Sequence, residues 1–193
     1  MDADRAEQFV TGDINRFAML LFLLSETAFF AFLIIAYVYF HNAVQAGPDA
    51  ANSLHPAKSG MYTVFLLASS FTAWHAEKCY RRSRNRAFLN WLLATILLGA
   101  IFLVGQGREY IQLYRANVTV SRNIFGTAFF TLTGFHGLHV LLGLIALAIL
   151  FGLALSDSRG RQSSAVRTIA TYWHFVDWIW VVIFSVVYLW SLA

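Results

Sequence analysis

Residues 123–155 form an uncharged stretch that limits, more than any other feature, what this chain can fold into. These 33 residues contain no Lys, Arg, Asp or Glu. About 20 apolar residues are enough to cross a bilayer as a helix. The stretch therefore predicts an integral membrane protein, and the 59% hydrophobic composition of the 193 residues agrees with this interpretation.

Four other hydrophobic stretches have the length or the composition of membrane spans. The sequence therefore predicts one all-α membrane domain over residues 1–193, a bundle of five transmembrane helices. The predicted spans cover residues 16–41, 60–80, 87–107, 123–155 and 168–192. The first helix is expected to begin near Asp13 or Asn15, because either side chain could cap its first turn.

The basic residues predict how this bundle is oriented. With five spans the termini lie on opposite sides, and ten Lys and Arg residues fall on the N-terminal side against four on the other. The ten are Arg5, Arg16, Lys78, Arg81, Arg82, Arg84, Arg86, Arg159, Arg161 and Arg167, and the four are Lys58, Arg108, Arg115 and Arg122. Because basic loops stay in the cytoplasm, the N-terminus is expected inside and the C-terminus outside.

Between Phe17 and Phe40 in the first span, Glu26 is the only charged residue, and it lies near the middle. A charge at this depth costs about 2.5–3.5 kcal/mol on insertion scales, so the carboxyl must be neutral, paired or in a polar cavity. Two interpretations stay open. Glu26 is either a carboxyl accessible to protons or lipids, or a neutral carboxyl hydrogen-bonded to a histidine or threonine of a neighbouring helix.

His136 and His139 are three residues apart and therefore share one face of a helix, which Gly143 continues. We expect this face to pack against another helix, with the histidines hydrogen-bonded across the interface. As metal or haem ligands they would need His75 or His174 from another helix, and no cluster of acidic residues or cysteines supports a metal site.

His174 and Asp177 are also three apart, near the start of the last span. Such a pair could relay protons, but no nucleophile pattern surrounds it, so a packing and hydrogen-bonding role is the favoured interpretation. The single cysteine, Cys79, excludes an intrachain disulfide and the two-cysteine haem attachment motif. Neither catalytic residues nor metal ligands are predicted.

Several segments resemble subunit III of the haem–copper respiratory oxidases, in the order that this family has them. RFAMLLFLLSETAFF resembles the helix that carries the family's buried carboxylate, which places that role on Glu26. In GQGREY, Glu109 stands where the family often has glutamate. The similar segments are RFAMLLFLLSETAFF (16–30), LLASSFTAWHAEK (66–78), GQGREY (105–110), FFTLTGFHGLHVLLG (129–143) and YWHFVDWIWVVIFSVVYLW (172–190).

This resemblance implies a short, five-helix bacterial form of the subunit, without the first two of the family's seven spans. Such a subunit is multi-pass in the bacterial inner membrane and binds no haem or copper, which lie in partner subunits. It packs against the catalytic subunit I beside subunit II, holds phospholipids between its helices and supports proton uptake. Cytochrome c or a c-type cytochrome domain is the expected electron donor, and no nucleic-acid partner is expected.

The resemblance also assigns expected roles to individual residues. Glu26, His136, His139, His174 and Asp177 would form a polar interior, and Glu26, Arg16, Arg159, Arg161 and Arg167 would contact phospholipid. Two positions depart from the larger members. Ala76 stands where a second histidine is frequent, and Arg167 stands where an acidic residue is frequent.

Other functions remain as alternatives. The chain could be subunit III of a quinol oxidase, or an accessory protein of a nitric oxide reductase. A stand-alone proton channel or transporter could use Glu26, although the sequence has no inverted repeat and no pair of broken helices. A membrane cytochrome would pair His136 or His139 with His75 or His174.

Overall fold

The computed structural model describes residues 3–43, 56–115, 124–156 and 163–189. The regular structure in these ranges is helical, as the sequence predicts. The helices are α1 (Ala3–Ala43), α2 (Pro56–Arg81), α3 (Asn85–Arg115), α4 (Ile124–Leu155) and α5 (Ser163–Phe184), and a π-helical turn (Ser185–Leu189) continues α5.

Among the described residues, four helical stretches are long and apolar enough to cross a membrane: Phe17–Phe40, Asn85–Arg115, Gly126–Leu155 and Ser164–Tyr188. They correspond to the first, third, fourth and fifth predicted spans. The second predicted span, 60–80, lies within α2, but α2 is less apolar than the others, and its crossing stays a prediction. Its hydroxyl side chains point into the bundle, where Ser59, Thr63, Ser69 and Thr72 are buried.

The first helix begins earlier than predicted. It starts at Ala3, so Asp13 and Asn15 lie inside the helix and the predicted cap at either residue is wrong. The physical reason is the high helix propensity of the residues before Asp13, among which Ala, Glu, Gln and Arg are frequent. The polar N-terminal residues therefore extend the helix rather than precede it.

The third predicted span, 87–107, lies within α3, which continues to Arg115. Gly105 does not end it. An added Cβ at Gly105 would clash with the ring of Tyr62, which shows that this glycine permits close approach of α2. A glycine that weakens a helix in isolation is here a packing position between two helices.

The helices form a bundle in which α4 packs against α1, α3 and α5, and α5 also packs against α1 and α2. The most extensive contact joins α2 and α3, which are connected by a short turn. In this turn Ser83 has a φ of 55°, and the amide of Arg84 donates to the carbonyl oxygen of Cys79 at 3.0 Å. The turn thus satisfies the last carbonyls of α2 and reverses the chain.

Trp173 of α5 holds three other helices in position. Its six-membered ring lies between Gly99 of α3 and Gly143 of α4, and an added Cβ at either glycine would come within 2.8 Å of the ring. Its Nε1 donates to Ser69 Oγ of α2 at 3.1 Å. Because the side chain is fully buried, the spacing of α2, α3 and α4 depends on this one indole.

Candidate functional site

Glu26 and His139 form a hydrogen-bonded pair between α1 and α4. Glu26 Oε2 lies 3.0 Å from His139 Nε2, and the other ring nitrogen, Nδ1, lies 2.7 Å from the carbonyl oxygen of Phe135. The local bond to Phe135, one turn back in the same helix, orients the imidazole. His139 therefore presents Nε2 to the carboxyl of Glu26.

The geometry fixes how many protons the pair holds. A carbonyl oxygen only accepts hydrogen bonds, so His139 Nδ1 carries a hydrogen and donates it to Phe135. Between Nε2 and Glu26 there is then one shared proton, carried either by the carboxylic acid or by the imidazolium. In both forms the net charge is zero, which avoids the cost of a lone charge within a span.

Aromatic side chains surround the pair. The ring of Phe30 meets the His139 imidazole edge-on, with centroids 5.0 Å apart, and the Tyr172 hydroxyl donates to the His139 carbonyl oxygen at 3.1 Å. The side chains of Glu26 and His139 are still 20% and 11% exposed. The pair thus lies at the surface of the bundle, where a lipid or another membrane protein can contact it.

His136 has different surroundings from His139, although both lie on α4. It is fully buried, and neither ring nitrogen has a hydrogen-bond partner among the described residues. Its ring stacks on Trp180 of α5 at a centroid distance of 4.7 Å and meets Phe102 of α3 edge-on at 6.0 Å. The hydrogen bond expected for His136 is replaced by ring contacts, because aromatic side chains of α3 and α5 fill its surroundings.

His174 and Asp177 face α2. His174 Nδ1 lies 2.6 Å from Ser70 Oγ, while Asp177 is buried to 2% exposure and its oxygens make no hydrogen bond of full geometry among the described residues. The structure thus adds Ser70 to the predicted pair. The serine-rich segment that contains Ser70 could be identified from the sequence, but the register of α2 against α5 could not.

A second polar cluster surrounds the half-buried Glu109, at the opposite end of α2 from the α2–α3 turn. Ser59 Oγ donates to Glu109 Oε1 at 2.8 Å, and the Tyr188 hydroxyl donates to Oε2 at 3.0 Å. The neighbouring Tyr110 donates to Thr133 Oγ1 at 2.8 Å. These bonds connect α2, α3, α4 and the π-helical turn, so Glu109 and Tyr110 together join helices that are distant in sequence.

The predicted lipid-contacting arginines are only partly described. Arg167 lies in the first turns of α5 with its side chain exposed. The side chain of Arg16, and Arg159 and Arg161 as a whole, lie outside the described residues. Their contact with phospholipid stays a prediction.

Within the described ranges, no group of three or more His, Cys, Asp or Glu side chains is placed to hold a metal ion. The histidines have separate environments. His139 contacts Glu26, His174 contacts Ser70, and His75 Nδ1 lies 3.2 Å from the carbonyl oxygen of Phe71 in its own helix. The described side chains thus offer hydrogen-bonding and proton-exchanging groups.

Proteins of one family resemble this chain over nearly its whole length. The family described as cytochrome c oxidase subunit III matches residues 5–192. The chain is 36% identical over 182 residues to cytochrome c oxidase subunit 3 of Synechocystis sp., covering 92% of this chain and 76% of the relative. It is 36% identical over 173 residues to the Corynebacterium diphtheriae protein of the same name, covering 88% and 84%. It is 37% identical over 171 residues to the probable cytochrome c oxidase subunit 3 of Mycobacterium leprae, covering 86% and 83%.

Proposed function

The chain belongs to the cytochrome c oxidase subunit III family, and we propose that it is the non-catalytic subunit of a haem–copper terminal oxidase. In this role it packs against subunit I beside subunit II, stabilises subunit I, binds phospholipid and supports proton uptake. Haem and copper lie in the partner subunits, which receive electrons from cytochrome c or a c-type cytochrome domain. The complex reduces oxygen and pumps protons in the bacterial inner membrane.

The Glu26–His139 pair is the observation that carries this proposal. It holds one exchangeable proton near the middle of α1, and it is partly exposed on the side of the bundle that faces lipid or a partner. A pair that served packing alone would gain nothing from this exposure. A neutral, proton-carrying pair at a membrane-facing surface suits a subunit that influences proton supply to a neighbour.

Glu26→Gln tests the role of this proton. The glutamine amide can donate to His139 Nε2, so the contact between α1 and α4 is kept while the exchangeable proton is lost. We expect the oxidase to assemble with normal haem content. We also expect the rate of proton uptake, or the rate of inactivation during turnover, to change about fivefold. A factor of about five corresponds to a free-energy change of ~1 kcal/mol.

Thr27→Val is the matched control. Thr27 is adjacent to Glu26 on α1, but its hydroxyl donates to the Leu23 carbonyl oxygen of the same helix at 2.7 Å. This variant is expected to behave as the wild type in both assays. If Glu26→Gln instead abolished the whole complex, Glu26 would be a folding residue and the proton role would be wrong.

Purification of the chain from native membranes in mild detergent tests the wider proposal. Haem-containing partners and oxygen consumption should accompany the chain and be absent when it is expressed alone. Oxygen consumption driven by a quinol rather than by cytochrome c would indicate the quinol-oxidising type. Proton flux into liposomes that contain only this chain would support a channel, and haem bound to the isolated chain would support a cytochrome.

The proposed orientation places the α2–α3 turn in the cytoplasm, because Lys78, Arg81, Arg82, Arg84 and Arg86 surround it. Ser83, at the tip of this turn, is exposed. In a Cys79→Ser background, the thiol introduced by Ser83→Cys should react with a membrane-impermeant maleimide in inside-out vesicles. Reaction in right-side-out vesicles would reverse the orientation.

A further inference from the structure

One face of α2 is apolar and exposed. Its large side chains follow one another at intervals of three or four residues, so they form a continuous stripe along the helix. At 1.5 Å per residue the stripe is about 20 Å long, more than the ~15 Å of hydrocarbon in one leaflet of a bilayer. It therefore offers an acyl chain an apolar surface across the whole leaflet. The residues of the stripe are Met61, Val64, Leu67, Phe71 and Trp74.

Trp74 and Lys78 mark the end of this stripe. Lys78 Nζ lies over the indole of Trp74, 4.7 Å from the ring centroid, and Phe71 lies against the same indole with ring centroids 6.2 Å apart. Tryptophan is enriched at the boundary between hydrocarbon and headgroups, and lysine extends its ammonium group from there towards the headgroups. The lipid phosphates are therefore expected at the level of Lys78.

Three exposed arginines follow at this level without an acidic partner. In residues 77–86 the only acidic side chain is Glu77, and it pairs with Arg81 at 3.5 Å. Within the described ranges no ion pair neutralises the arginines at positions 82, 84 and 86. The α2–α3 turn thus has an excess of positive charge that a phosphate can balance.

The backbone that holds these arginines is fixed. The amides of Arg82 and Arg84 donate to the carbonyl oxygen of Cys79 at 3.2 and 3.0 Å, and the amide of Ser83 donates to that of Tyr80 at 2.9 Å. Binding therefore orders side chains only, which lowers its entropic cost. The N-terminus of α3 adds to the positive potential, because no acidic residue lies in its first turn.

We propose that the α2–α3 turn and the exposed stripe of α2 together bind one anionic phospholipid. Arg82, Arg84 and Lys78 bind the phosphate, and an acyl chain lies along Phe71 and the rest of the stripe. The basic turn and the apolar stripe are continuous, which matches a molecule with a charged head and an apolar tail. A soluble acidic partner would leave the stripe unused. This site is separate from the lipid contacts expected near Glu26, and it requires no partner subunit.

Fluorescence quenching by brominated lipids tests the proposal on the full-length chain in phosphatidylcholine nanodiscs. A small fraction of the lipid carries bromine on its acyl chains, as either phosphatidylglycerol or phosphatidylcholine. The difference in quenching between the wild type and Trp74→Phe isolates the signal of Trp74. A basic residue near a lipid surface contributes about 1 kcal/mol, a factor of about five. Phosphatidylglycerol should therefore be preferred beside Trp74 by at least about tenfold.

Arg82→Gln/Arg84→Gln should lower this preference at least about fivefold, because the two guanidinium groups that bind the phosphate are missing. Arg108→Gln/Arg115→Gln is the matched control. It removes the same charge from exposed positions at the other end of α3. Its preference at Trp74 should equal that of the wild type. Each variant is measured with and without Trp74→Phe.

Three results would overturn the proposal. Equal quenching by the two brominated lipids in the wild type would show that the site does not select an anionic lipid. An equal loss in the two double variants would show that net charge, and not the turn, attracts the lipid. Displacement of brominated phosphatidylglycerol by inorganic phosphate at an equal concentration would show that the turn binds phosphate without the lipid.

Discussion

Gly143→Leu is expected to prevent the bundle from forming a stable, monodisperse species in detergent. Even a Cβ at this position would lie 2.8 Å from Trp173 Cε3. The indole cannot withdraw, because the same ring is in contact distance of Gly99 on α3 and is fully buried. Overpacking of a filled interior costs about 1–3 kcal/mol, and the leucine branch adds to the displacement that the first carbon requires.

Gly152→Leu provides the control on the same helix. An added Cβ at Gly152 meets nothing within 4 Å, so this variant of the isolated chain should keep the thermal unfolding midpoint of the wild type. The unfolding midpoints of both variants are measured from size-exclusion profiles recorded after a series of heating steps. Equal midpoints for Gly143→Leu and Gly152→Leu would show that Trp173 does not fix the distance between α4 and α5.

His139→Leu is expected to destabilise the chain more than the loss of a surface histidine does. The substitution leaves the Glu26 carboxyl facing α4 without its partner, and an unsatisfied buried group of this kind costs about 1–3 kcal/mol. In Glu26→Leu/His139→Leu both polar groups are gone, and much of the lost stability should return. A double-mutant cycle of unfolding free energies measures this coupling directly.

His75→Leu is the matched control for this cycle. His75 makes the same kind of bond to the carbonyl oxygen four residues back as His139 does, but no described residue bonds its other ring nitrogen. Any difference between the two leucine variants is therefore due mainly to Glu26. If the effects of Glu26→Leu and His139→Leu simply added, the pair would make no contribution to stability.

Much of the architecture was predictable because the membrane constrains sequence strongly. A long run without charges must satisfy its backbone internally, so residues 123–155 were expected to be one helix, and α4 covers Ile124–Leu155. The same reasoning identified Glu26 as a residue that needs neutralisation. A single charge within an apolar helix is conspicuous, whatever partner it has.

The partners of the polar residues were less predictable. Helical spacing placed His136 and His139 on one face, but the structure assigns one to a carboxyl on α1 and the other to rings on α3 and α5. Which of two neighbouring positions meets which helix depends on the rotation and register of each helix. Those quantities are set by contacts such as Gly143 with Trp173, which join residues far apart in the sequence.

The neutrality of the Glu26–His139 pair has a consequence in an energised membrane. A single charge held within the bilayer responds to the transmembrane voltage with about 2.3 kcal/mol per elementary charge per 100 mV. The pair shares one proton between Nε2 and the carboxyl and has no net charge in either of its forms, so the voltage exerts no net force on it. The contact between α1 and α4 should therefore be equally strong in respiring and in de-energised cells.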